Sequence, residues 1–192
     1  MAKMFPRIDP PLRDFIERQH IFFTASAAAN SRINLSPKGS DCLRVIDPNQ
    51  VAYLDQTGSG NEAAAHLRAD GRLTIMFCAF EGPPMILRLY GHGRSLPHGS
   101  ADYANLLASA FDNTEPPGAR QIVVLDIDLV QTSCGYSVPL YDYKEERPTL
   151  KNWAERKGPD GIRDYWREKN LASIDGLPTG MLEVLEDAAA AK

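Results

Sequence analysis

Two stretches between residues 30 and 61 collect the side chains and amides that a phosphorylated, planar ligand needs. The first, Asn30-Ser31-Arg32-Ile33-Asn34-Leu35-Ser36-Pro37-Lys38-Gly39, supplies a guanidinium at Arg32, an ammonium at Lys38 and hydroxyls at Ser31 and Ser36. The second, Tyr53-Leu54-Asp55-Gln56-Thr57-Gly58-Ser59-Gly60-Asn61, ends where an Ala-rich helical run begins. A phosphate is held by Arg or Lys forks together with N–H groups at a helix start, so the first stretch offers charge and the second offers donors. Lys38 stands between Pro37 and Gly39, which fix the backbone and leave the side chain free to reach back over its strand. Ser59, Gly60 and Asn61 read as an N-cap and as an anion cradle together, because a capped helix start is already an anion site. Tyr53 and Leu54 close a strand and suit the core and a ligand wall equally.

Other chemistries find less support. The four histidines form no pattern that would set two ligands on one face, and no metal is expected. Cys42, Cys78 and Cys134 are far apart and odd in number, so they are expected to be reduced packing residues rather than disulfides or zinc ligands. No serine sits in a Gly-x-Ser-x-Gly elbow. A net charge of −4 lacks the basic footprint that nucleic acid requires. Residues 1–11 contain no apolar leader core, and no run approaches the roughly 20 apolar residues of a membrane span, so a cytoplasmic protein is the expectation.

The elements that must carry these groups follow from periodicity. With 43% hydrophobic and 24% charged residues, 192 residues make one domain of ordinary size, 1–192, with a helical extension over 149–192. A short amphipathic helix is predicted over 11–20, and β-branched or alternating runs predict strands over 21–27, 32–36, 42–46, 50–54, 72–78, 85–90 and 121–131. Residues 61–69 and 102–111 read as helices, and Gly91 and Gly93 as the site of a bend or bulge. The strand over 121–131 is the most apolar and should be the most buried. Beyond Thr149 two helices are expected, capped by Thr149 and Asp160, with Trp153, Tyr165 and Trp166 among charges. Six or seven strands in hairpins, with one helix between the fourth and fifth, exclude a doubly wound sheet. They predict a mainly β, α+β fold: a closed or split antiparallel barrel.

This arrangement resembles the pyridoxamine 5'-phosphate oxidase-like family of FMN-binding split barrels, over about residues 15–135. Residues 32–39 look like the family's Arg-led strand ending in Lys-Gly, with one residue inserted; Tyr53-Leu54 looks like its Tyr-Thr pair, and Ser59-Gly60-Asn61 occupies its Ser-Arg-Lys turn. The resemblance implies an FMN site formed by Arg32, Ile33, Asn34, Ser36, Lys38, Tyr53, Leu54, Ser59, Gly60 and Asn61. It also implies a homodimer with the flavin between subunits, and an oxidoreductase acting on a small substrate. Lys38 would then favour the reduced flavin by facing the charge that develops near N1. Catalytic residues stay unassigned, since hydride transfer at a flavin needs no titrating side chain. Two departures matter. The turn's two cations are replaced by Gly60 and Asn61, and residues 175–192 do not match the Arg- and His-containing segment that holds the vitamin B6 substrate. The alternatives are a flavin-binding or redox-sensing module without turnover, and a split barrel binding deazaflavin or haem.

Overall fold

The computed structural model describes residues 2–190, which form eight strands in one antiparallel sheet and five helices. The strands are β1 (Lys3–Phe5), β2 (Phe22–Ser26), β3 (Asn34–Lys38), β4 (Leu43–Asp47), β5 (Gln50–Gln56), β6 (Arg72–Cys78), β7 (Ile86–Pro97) and β8 (Ala119–Ser133). The helices are α1 (Pro10–Glu17), α2 (Glu62–Ala69), α3 (Ala101–Ala110), α4 (Thr149–Lys169) and α5 (Met181–Ala190). Hydrogen bonding runs in the order β3-β2-β6-β7-β8-β5-β4, with β1 also paired to β8. The expected antiparallel α+β class is what the chain adopts. No helix among the described residues is long and apolar enough to cross a membrane.

Each element has a local cause. Asp9 caps α1 by accepting the Leu12 amide at 2.9 Å, and Pro10 and Pro11 suit the first turn, where their missing N–H groups cost nothing. β8 is buried over its first seven residues, as its apolar run predicts. It pairs with β7, β5 and β1, so it forms the spine of the sheet. Phe22, Tyr53, Phe77, Leu87 and Leu125 fill one side of the sheet. Leu54, Ile122 and Val124 meet Tyr103 and Leu107 of α3 on the other. Each such large apolar side chain contributes about 1.5–3 kcal/mol on burial. Ala154, Ile162 and Trp166 of α4 join Met181 and Leu185 of α5 in a third cluster.

The structure differs from expectation in several places. β7 does not stop at Tyr90 but runs on to Pro97, absorbing a register shift between Tyr90 and Gly91. The anticipated bulge is thus internal to one long strand. A Cβ added to Gly91 would lie 1.9 Å from the Asp126 carbonyl oxygen, so only glycine permits that approach. β1 adds an unanticipated strand, which puts α2 after the fifth strand rather than the fourth. The two helices expected after residue 149 are both there, the segments of α4 on either side of a kink at Gly158 (φ 65°, ψ 172°), next to Pro159. Pro148, not Thr149, occupies the cap position. Cys78 is buried and Cys42 half-buried, but Cys134 is exposed and so is not a packing residue.

Candidate functional site

The site begins with a buried charge. β5 pairs with β8, and a register shift between Asp55 and Gln56 brings the Asp55 side chain against the start of β8. Asp55 Oδ2 accepts from Arg120 Nε at 2.8 Å and from Gln121 Nε2 at 2.7 Å, while Oδ1 accepts from Lys38 Nζ at 2.5 Å. Burial alone would raise the Asp55 carboxyl, yet the Arg120 guanidinium and the Lys38 ammonium outweigh it and hold it well below the usual carboxylate range. β3 and β5 are not neighbours in the ladder, so the Lys38–Asp55 pair ties the β3 edge of the sheet to β5, next to the opposite edge, where no backbone pairing does. Lys38 also stands 5.6 Å from the centroid of the Tyr53 ring.

Residues 57–61 form a turn in which the carbonyls of Gly58 and Gly60 are engaged by side chains from distant parts of the chain. Gly60 O accepts from Arg120 Nη1 at 2.8 Å and Gly58 O from Asn170 Nδ2 at 3.1 Å. Thr57 donates its amide and its hydroxyl to Gly118 O, at 2.8 and 2.7 Å, and its hydroxyl accepts from Trp166 Nε1 at 2.8 Å. The amides of Gly58, Ser59, Gly60 and Asn61 have no protein acceptor among the described residues. Asn61 precedes α2 without capping it through its side chain. Its Oδ1 instead accepts from Gln121 at 2.9 Å, and its buried Nδ2 has no partner. Glu62, in the first turn of α2, takes the Ile174 amide on its carboxylate at 3.0 and 3.2 Å.

These groups surround a cleft of about 910 Å³. Of the ten residues named from the sequence, Arg32, Ile33, Asn34, Ser36, Lys38, Leu54, Ser59 and Gly60 line it. Tyr53 and Asn61 do not, because both lie buried beneath it. Burial, and next the Asp55 carboxylate, push the Tyr53 phenol well above its ordinary range, so it stays neutral. Leu54 packs with Tyr103 and Leu107 of α3, and its amide already donates to Cys42 O at 2.9 Å. Arg32 is exposed, and both its amide (2.7 Å) and its guanidinium go to Asp175. Four cationic side chains, Arg32, Lys38, Arg120 and Lys169, face this space against two carboxylates, Asp55 and Glu62. The balance suits an anionic ligand.

Sequence reasoning missed Asp55, Thr57, Arg120, Asn170 and Asp175. Asp55 left one trace, a charge at the end of an apolar strand. The others gave none, because their roles depend on partners 50 to 143 residues away. A larger cavity of about 1190 Å³ lies between α2, the β7–β8 ends, α4 and α5. Arg120 and Gln121 line it, but none of the ten named positions does, so the smaller cleft is the better candidate.

Comparison with known proteins points the same way. The family model described as pyridoxamine 5'-phosphate oxidase matches residues 8–134. The pyridoxamine 5'-phosphate oxidase family protein ustO of Aspergillus flavus is 37% identical over 203 residues, covering 97% of this chain and 81% of that one. Among solved structures, HupZ of Group A Streptococcus aligns with a TM-score of 0.51 at 19% identity, over 64% of this chain and 91% of that chain. A candidate pyridoxamine 5'-phosphate oxidase of Lactobacillus delbrueckii also gives a TM-score of 0.51 at 19% identity, over 66% and 94% of the two chains. These two likenesses speak for the split-barrel fold and for nothing finer.

Proposed function

Because this chain belongs to the pyridoxamine 5'-phosphate oxidase family, over two thirds of its length by the family match and nearly all of it by its fungal relative, we propose that the cleft over Lys38 binds FMN. On this reading the protein is an FMN-dependent oxidoreductase acting on a small substrate. One observation carries it: a single cleft gathers eight of the ten residues named from sequence, together with amides that have no protein acceptor. The donor set fits a phosphate ester. Amides at 58–60, the Ser59 hydroxyl and Lys38 supply hydrogen bonds, and the excess of cations supplies charge. Arg32 joins them only if it leaves Asp175.

When bound, the flavin supplies a two-electron acceptor for hydride. The chain's own part is positional and electrostatic. Lys38, Asp55 and Arg120 together carry one net positive charge at the cleft floor, and two unit charges 4 Å apart interact by about 4 kcal/mol at an effective dielectric of 20. That charge favours an anionic state of the bound group. The buried Tyr53 ring backs the floor and keeps water from it. Exposed apolar side chains at the mouth, Ile33 (77%), Leu35 (65%) and Ile174 (73%), support a homodimer in which a second copy covers the cleft.

Purification under mild conditions, a visible spectrum, and acid release with mass identification test the cofactor. Flavin bands and FMN in near one-to-one amount are expected, with bleaching by substrate if turnover occurs. A Soret band or a deazaflavin mass would replace FMN by the alternative ligand. A colourless protein that takes up no added FMN would sink the flavin reading.

A further inference from the structure

We propose that Arg120, at the start of β8, is the preorganised cation that meets the anionic group of the ligand in the cleft over the 58–61 turn; only the identity of that ligand as FMN rests on the function proposed above. The guanidinium side chain is 5% exposed and is fixed on two of its three nitrogens. Nε donates to Asp55 Oδ2 at 2.8 Å, and Nη1 donates to Gly60 O at 2.8 Å and Asn170 Oδ1 at 2.9 Å. Nη2 has no protein acceptor among the described residues, and it is not among the buried atoms left unpaired, so it opens onto space that a ligand can reach. A Cβ built on Gly58 would lie 4.0 Å from Nη2, which sets the free nitrogen against the turn whose amides also lack acceptors. Gly58 lines the cleft and not the larger cavity, so this side of Arg120 faces the cleft.

The other cations of the cleft are less prepared. Arg32 is exposed and held by Asp175, and Lys169 is half-exposed and paired with Glu168 at 2.8 Å. Lys38 shares Asp55 with Arg120, so one carboxylate balances two cations and one positive charge remains for a ligand. A guanidinium held rigidly by three hydrogen bonds pays little ordering cost when an anion arrives, and Nη2 is left to donate to it. Asn61, 2% exposed with its Nδ2 unpartnered, adds a second buried donor beside the same turn.

The test compares FMN with riboflavin, which lacks the phosphate, by titrating cofactor-free protein. Wild type should prefer FMN. Arg120→Gln should lose about 10- to 100-fold of that preference, the worth of a hydrogen bond to a charged group, while riboflavin affinity changes little. Arg120→Lys should retain part of it. Equal weakening of both flavins, or an unchanged preference, would overturn the proposal. Should the variants not fold, the guanidinium NMR signal of Arg120 in wild type, followed on adding inorganic phosphate, decides the matter: a saturable shift supports the assignment and a silent signal defeats it. If neither flavin binds wild type yet phosphate still shifts Arg120, the flavin reading fails and the anion site stands. If flavins bind without phosphate preference, the reverse holds.

Discussion

At the scale of single residues, the group that most controls the site is Asp55. It is buried, ionised and shared by two cations, so replacing it leaves Lys38 and Arg120 facing each other without compensation. Asp55→Asn should lower unfolding free energy by about 3–5 kcal/mol at pH 7, the usual cost of removing one partner of a buried ion pair. The pH dependence has a fixed sign. The folded carboxyl titrates below the unfolded value of about 3.9, so its contribution is complete above that pH and is lost as pH falls toward the folded value. Urea titrations from pH 8 to 2 should show wild type flat in this respect down to about pH 4 and then falling, with a shallower acid limb for the variant. Parallel acid limbs would refute the assignment. Residue by residue, the cationic ends of the site were legible because Arg32, Lys38 and the Gly-rich turn are local signals. Arg120 was not, because it lies 65 residues from Asp55 and only a strand register with a one-residue shift unites them. Nor could composition reveal that Asp175 would occupy Arg32, a contact across 143 residues.

At the scale of elements, the long β7–β8 pair depends on one bulge. Gly91→Ala would drive a methyl into the Asp126 carbonyl, and backbone on both sides must shift to admit it. The variant should lose more than the roughly 1–3 kcal/mol typical of overpacking and accumulate mainly as insoluble protein. A soluble variant melting within a few degrees of wild type would show that the bulge is adaptable. The hairpins and most helices were readable because each is specified locally by alternation, turn residues and caps. β1 spans three residues, too few to show a period, and it exists only because β8 offers an edge. α5 carries an apolar stripe that makes sense only against Ala154, Ile162 and Trp166 of α4. The kink in α4 was legible in Gly158-Pro159, where the chain passes from one helix to the next.

At the scale of the whole molecule, the apolar mouth of the cleft predicts self-association. Sedimentation velocity at micromolar concentration should give a dimer, and Leu35→Asp should shift it toward monomer while leaving the melting temperature within a few degrees. A monomer at all concentrations would reject the homodimer. β3, which carries Ile33 beside it and Leu35 within it, ends the sheet, with β2 on one side and no ladder on the other. Its register partner for Phe23 is Pro37, and a proline fits a ladder only where its missing donor faces away from the neighbouring strand. The outward rim of β3 therefore lacks one donor near its C-terminal end, which weakens any extension of the sheet by an incoming strand there. Copies meet there more readily side chain to side chain, which favours a finite complex over an open-ended fibril even while the apolar rim waits uncovered.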